Sequence, residues 1–257
     1  MREKHSVNQV STIRPSGFTR LELVVVLAVI AVLLLMLLPV MPVHKSIARR
    51  IWCVNNLKQI GVAERLWAGD HGDLPSASAF KLKGEQAAPF ARTNAGPYCW
   101  AYYAALAEDF AASPKIFVCP SDERRSAAYF MKGGTTNDAG VGVFKDNTTV
   151  SFFVNPDQND IYPQSIIFGD RNLGPGTIPD LEYGYSPTNG QGNDVIVNGP
   201  VSWSLKMHSA GNTAGAGYIL LGDGSAQQIS SRAFNQTWLT NALNASTNHV
   251  GLRLVFP

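Results

Sequence analysis

Few residues in this chain carry types and spacings suited to chemistry. Its 257 residues include 5 His and 3 Cys. The histidines are His5, His44, His71, His208 and His249, and no two stand at the spacing that places two ligands on one helix face. No Cys-x-x-Cys occurs, so the pattern offers no zinc site. Asn155-Pro156-Asp157-Gln158-Asn159-Asp160 is rich in oxygen donors. Calcium takes about six to eight oxygens, so Asp157, Asn159 and Asp160 form a partial calcium set or, on the plainer reading, a solvated turn. There is no Gly-x-Ser-x-Gly, no phosphate-binding loop and no dinucleotide fingerprint. The expectation is a protein that is not an enzyme and has no resident cofactor.

The most unusual titratable group is Glu22. It stands one residue before Leu23–Val43, a run without a charged or polar side chain. At about 1.5 Å per residue those 21 residues would reach roughly 32 Å as a helix, the thickness of a hydrocarbon core of about 30 Å. A buried helix of a globular protein keeps a polar stripe, and this run has none. A cleaved secretory signal has an apolar core of about 7–15 residues and a small-residue cleavage site, which this segment does not reproduce. Basic residues flank the run on both sides, so charge alone does not orient it. A carboxylate at the edge of such a segment is costly and marks function. It also suits the positive end of a helix.

Gly17-Phe18-Thr19-Arg20-Leu21-Glu22, followed by the apolar run, resembles the signal of type IV prepilins and type II secretion pseudopilins. Arg20 stands where the pattern is usually apolar. The resemblance implies cleavage between Gly17 and Phe18 by a prepilin peptidase and N-methylation of Phe18. It implies an assembly role for Glu22, paired with the amino group of a neighbouring subunit. Pro39 falls where pilins carry a helix-loosening proline. The implied partners are the peptidase, other pilin-like subunits and the inner membrane, with no nucleic acid. The implied location is a single pass of the inner membrane, with a cytoplasmic N-terminus and an extracytoplasmic head. The net charge of +2 likewise suggests no nucleic-acid binder. An alternative is an anchored binding module, for instance for polysaccharide, that borrows the leader for export.

A second stretch, Cys53-Val54-Asn55-Asn56-Leu57-Lys58-Gln59-Ile60-Gly61, resembles a pseudopilin-like group of Planctomycetes and Verrucomicrobia described as H-X9-DG proteins, or domain type DUF1559. Phe117-Val118-Cys119-Pro120-Ser121-Asp122 and Ser165-Ile166-Ile167-Phe168-Gly169-Asp170 match the same group. His208 is followed by Asp223-Gly224, but fourteen residues intervene where the group has nine, and Gly211–Gly217 reads as the insertion.

These residues need elements to position them. The expected fold is α+β: a cleaved leader (1–17), a transmembrane helix (18–43), its amphipathic continuation (44–69) and a β-rich, pilin-like head (70–257). Ile47, Ile51, Val54, Leu57, Ile60 and Leu66 suggest the buried stripe of the continuation, with Arg49, Arg50, Asn55, Lys58 and Glu64 on its other faces. Short strands are expected at Thr148–Val154, Ser165–Gly169, Asp194–Val197, Tyr218–Leu221 and Gln227–Ser230. Helices are expected at Ala101–Ala112 and Phe234–Ala242. Asp223-Gly224 signals a hairpin, which makes Asp223 a turn residue before it is a ligand. Cys53 is expected to be buried on the long helix. Two readings stand for Cys99 and Cys119. One is a disulfide closing about 20 residues, contributing on the order of 3 kcal/mol; the other is two buried free thiols. Trp100, Tyr102, Tyr103, Tyr183, Tyr185, Trp203 and Trp238 offer either stacking platforms or core packing.

Overall fold

The computed structural model describes residues 17–37, 41–70, 99–106, 113–130, 143–156, 162–208, 214–241 and 251–257. The chain divides into two compact units, Met1–Lys45 and Ser46–Pro257. Helix α1 spans Arg20–Leu37 and helix α2 spans Met41–Asp70. Pro39, the Asp157-to-Asp160 loop and the turn after Asp70 lie outside the described residues.

The first unit contributes α1. Thr19 precedes its first turn and accepts from the Glu22 amide through Oγ1 at 3.3 Å, while Glu22 Oε2 accepts from the Thr19 amide at 2.8 Å. This reciprocal capping box satisfies two of the amides that any helix start leaves open. Among the described residues, no helix is long and apolar enough to cross a membrane. The 18 residues of α1 rise about 27 Å, and Arg20 and Glu22 occupy its first turn. The sequence-based expectation of one spanning helix over 18–43 therefore goes beyond what the described residues contain.

The second unit is α+β. Helix α3 (Cys99–Ala105) and a short 3-10 turn (Pro114–Phe117) precede the ten strands of the described residues. The main sheet has six: β6 (Asn193–Val197), β10 (Leu252–Phe256), β3 (Phe152–Val154), β4 (Ile166–Asp170), β8 (Ala216–Leu221) and β9 (Ala226–Ser230), in that order. Every neighbouring pair is antiparallel. Two ribbons accompany it, β1 (Tyr129–Phe130) beside β2 (Val143–Phe144), and β5 (Leu173–Pro175) beside β7 (Val201–Trp203).

Both faces of the sheet are covered. Phe152, Val154, Phe168, Tyr218, Leu220 and Val255 pack with α2 and α3. Phe153, Ile166, Ile219, Leu221, Leu254 and Phe256 pack on the other side with Trp203 of β7 and with Phe234 and Leu239 near the chain's C-terminal end. Successive residues of a strand point to opposite faces, so two-sided burial yields unbroken apolar runs. The β4 register shifts between Ile166 and Phe168, and this irregularity places Ile167 and Phe168 in the same cluster.

Helix α2 docks by a stripe that shares Leu57 and Ile60 with the expected one and differs from it elsewhere. Cys53, Leu57, Ile60, Glu64 and Trp67 are buried, at steps of three and four. Ile47, Ile51 and Leu66 are exposed, and Glu64, assigned to an outer face, is 4% exposed and accepts from the Tyr102 hydroxyl at 3.1 Å. The misreading is physical: apolar residues lie on both sides of α2, and only the sheet selects one. Gly61 lets the helix approach, since a Cβ there would stand 2.6 Å from Leu220 Cδ2. Asn56 donates to the Val118 carbonyl at 3.1 Å and Arg65 to that of Gly222 at 2.8 Å.

Thr148–Val154 is only partly a strand, because a 3-10 turn (Asn147–Thr149), capped by Asp146, precedes β3. The expected helix at Phe234 begins earlier, with α4 (Ser231–Ala233) capped by the Ser230 hydroxyl, and continues as a π turn (Phe234–Trp238).

Candidate functional site

Two places gather the residues singled out by sequence: the outer surface of α1, and a buried cluster between α2 and the sheet.

On α1, apolar side chains are exposed all the way round. Leu23, Val24, Val25, Val26 and Leu27 are 45–63% exposed, and Leu33, Leu34, Leu35 and Met36 are 55–68% exposed. Phe18 is 82% exposed, beside Gly17. Contiguous apolar exposure of this kind is the mark of a contact surface.

In the second unit, the motifs quoted separately along the chain converge. Cys53 of α2 and Cys119 form a disulfide with Cα atoms 4.9 Å apart. This corrects both readings of Cys119, the bridge to Cys99 and the free thiol, while for Cys99 the reading as a buried free thiol holds. Cys99 is a free, buried thiol whose Sγ lies 3.5 Å from the Phe152 and Val255 carbonyls, and burial pushes its pKa up. The folded α2 brings Cys53, 66 positions away, against the loop after Phe117, a pairing that separating the helix cysteine from the head cysteines hides.

His208 Nε2 lies 3.3 Å from Cys119 Sγ and 3.4 Å from Asp170 Oδ2. The Tyr218 ring meets the imidazole edge-on at 4.7 Å, and the Tyr218 amide donates to Asp170 Oδ2 at 2.6 Å. Burial pushes His208 down to about 4, with Arg50 adding and Asp122 opposing. Burial likewise holds Asp170 well above the usual carboxylate range, against the Tyr218 hydrogen bond. Desolvation thus drives both groups toward their neutral forms. The carboxylate partner of His208 is Asp170, from the Ser165–Asp170 motif. Asp223 sits in the β8–β9 turn, where its Oδ1 accepts from the Ser225 amide at 2.7 Å and Gly224 has φ +80°. Within the Gly211–Gly217 stretch, Gly215 and Gly217 are closely packed. A Cβ on Gly215 would meet the Trp203 carbonyl, and one on Gly217 would stand 2.4 Å from the Trp203 ring.

Alongside lies a buried ion pair. Arg171 grips Asp122 with two hydrogen bonds, Nε to Oδ2 at 2.7 Å and NH2 to Oδ1 at 2.8 Å. The Arg171 guanidinium stacks 3.3 Å from the Tyr183 ring centroid. Burial alone would raise the Asp122 pKa, but the hydrogen bond and charge of Arg171 outweigh it and hold it below the ordinary value. Arg124 donates to the Asn147, Val150 and Pro187 carbonyls and to the Pro257 main-chain oxygen. Burial lowers its pKa to about 10. These two arginines tie the loop after Cys119 to the sheet and to the final strand.

The sequence reading missed Asp122, Arg124 and Arg171 as a unit. The available signal was a charged residue, Arg171, directly following the apolar β4. It also missed the approach of Cys53, Cys119 and His208, because they come from three distant segments. Of the seven aromatics weighed as platforms, Tyr102, Tyr103, Tyr183 and Trp203 are buried and Trp100, Tyr185 and Trp238 half-buried. Core packing therefore accounts for them. Compared with protein-family models, curated proteins and solved structures, the chain matches none.

Proposed function

We propose that this chain is a pseudopilin-like structural subunit of a type II secretion or type IV pilus-like assembly. In this reading a prepilin peptidase cuts between Gly17 and Phe18 and Phe18 is N-methylated. The apolar run holds the subunit in the inner membrane, N-terminus cytoplasmic and head extracytoplasmic, until it packs against other pilin-like subunits. The observation that carries the reading is α1. Its apolar side chains are exposed on all sides, directly after the Gly17–Glu22 motif. Lipid and neighbouring copies are the two surroundings such a surface suits. The capping box uses Thr19 and Glu22, both of which lie after the cut, so the start of α1 keeps its hydrogen bonds in the processed chain. Beyond α1 the head packs its sheet against α2. An anchored binding module has less support, since four of its seven candidate aromatics are buried and the other three are half-buried against the core.

The test is mass spectrometry of the mature N-terminus from native membranes. Expected is a chain beginning at N-methyl-Phe18, together with loss of assembly in Glu22→Ala. A chain beginning at Met1, or after residue 45, would overturn the reading.

A further inference from the structure

Cys53 Sγ, Cys119 Sγ and His208 Nε2 lie within 4.8 Å of one another, and all three residues are buried. The imidazole nitrogen also stands 3.4 Å from Asp170 Oδ2. A tetrahedral zinc ion binds sulfur at about 2.3 Å and nitrogen or oxygen at about 2.0–2.2 Å. At the tetrahedral angle these lengths place nitrogen and oxygen donors about 3.4 Å apart, and nitrogen and sulfur donors about 3.6 Å apart. The observed separations of 3.4 Å and 3.3 Å are within a few tenths of an ångström of that geometry. A second observation is independent of the distances. Among the described residues, Asp170 Oδ1 and His208 Nδ1 are buried without a hydrogen-bond partner, on side chains that are 0% exposed. Folded proteins rarely leave such groups unpaired; the spare Oδ1 leaves the Asp170 carboxylate an oxygen for a cation while Oδ2 keeps the Tyr218 amide, whereas Nδ1 lies across the ring from the ligating Nε2.

We propose that, once the Cys53–Cys119 disulfide is reduced, this cluster binds one divalent cation of the zinc class. Cys53 Sγ, Cys119 Sγ and His208 Nε2 are the ligands, and the Asp170 carboxylate is the fourth donor. Disulfide and cation are then alternative closures of one place, and each ties α2 to the loop after Phe117. The donor set selects the metal: two thiolates and an imidazole suit zinc and disfavour calcium and magnesium. A groove of about 720 Å3 lined by Trp52, Asn55, Asn56, Gln59, Cys119 and Pro120 lies beside the cluster on the Cys119 side. In the first step the disulfide takes two electrons from a thiol or phosphine reductant and two protons from water, giving two thiols. In the second, the cation forms two metal–sulfur bonds and the thiol protons are released, with that of Asp170 where its carboxyl is protonated. None of the residues involved belongs to the 17–39 segment on which the assembly reading rests, so the two readings stand or fall separately.

The experiment uses the full chain in detergent micelles, stripped of metal and reduced by a phosphine, with circular dichroism recorded before and after reduction. Cobalt(II) is titrated in, then zinc. Expected is one equivalent of cobalt, with thiolate-to-cobalt charge transfer and intense tetrahedral d–d bands, and displacement by zinc. At least two protons should be released per cation at a pH where the thiols are protonated. The oxidised chain should show none of these bands, and reduced Cys99→Ala should behave like the parent. Reduced His208→Ala should bind more weakly by more than the roughly 10–100-fold that loss of an outer-shell partner costs. The proposal is overturned by a reduced chain without thiolate–cobalt bands, by equal binding in the oxidised chain, or by unchanged affinity in His208→Ala. Binding that appears only after the folded circular dichroism is lost also overturns it.

Discussion

Replacing Cys53 and Cys119 together by alanine should cost this fold more than any other small change at the helix–sheet junction. The bridge joins positions 66 apart, mid-α2 and the loop after Phe117. On the chain-entropy relation, a closed loop of that size removes about 15 cal/mol/K from the unfolded chain, or about 4 kcal/mol at 25 °C. Both cysteines are 0% exposed, so removing the sulfurs also loses packing, in the same direction. The assay is urea unfolding of the full chain in mild detergent, followed by the fluorescence of the buried Trp67 and Trp203. With a slope of about 2–3 kcal/mol/M, the midpoint should fall by roughly 1.5–2 M. Cys99→Ala is the control, because its thiol is free and closes no loop. A double variant whose midpoint moves by less than about 0.5 M, or a Cys99→Ala variant that moves as far, would refute the reasoning. Non-reducing peptide mapping should recover Cys53 linked to Cys119.

Asp122→Asn should destabilise the fold by about 3–5 kcal/mol, because it leaves the buried Arg171 guanidinium without its counter-charge. The same pair sets an acid limb. The folded pKa of Asp122 is below its ordinary value, so its contribution is complete above about pH 4 and is lost as pH falls through the lower folded value. Equilibrium unfolding between pH 2 and 7 should show a shallower acid limb in Asp122→Asn than in the parent; identical slopes would count against the pair. Gly217→Ala puts a methyl 2.4 Å from the Trp203 ring and should cost about 1–3 kcal/mol, read as a lower melting temperature. A neutral result there would mean that β7 and β8 are not packed as described.

By itself, the sequence determined what depends on neighbours along the chain. The Thr19–Glu22 cap is three residues of local chemistry. The Asp223-Gly224 turn follows from a residue that must adopt positive φ, and five strands were legible as short apolar runs between turn residues. The apolar character of α1 was plain from composition alone. Tertiary structure decided the rest. The two- and three-residue strands β1, β2, β5 and β7 carry too few residues to show a period, and pairing with distant partners creates them. Which side of α2 is buried depended on the sheet, since apolar residues occupy both sides and only contact with Leu220 and Tyr102 discriminates them. The disulfide partner of Cys119, the gathering of Asp170 with His208 and the grip of Arg171 on Asp122 are long-range pairings. Their energies arise from desolvation, which no local pattern encodes: a carboxylate, an imidazole or a thiol acquires its character here only after the fold has removed the water around it.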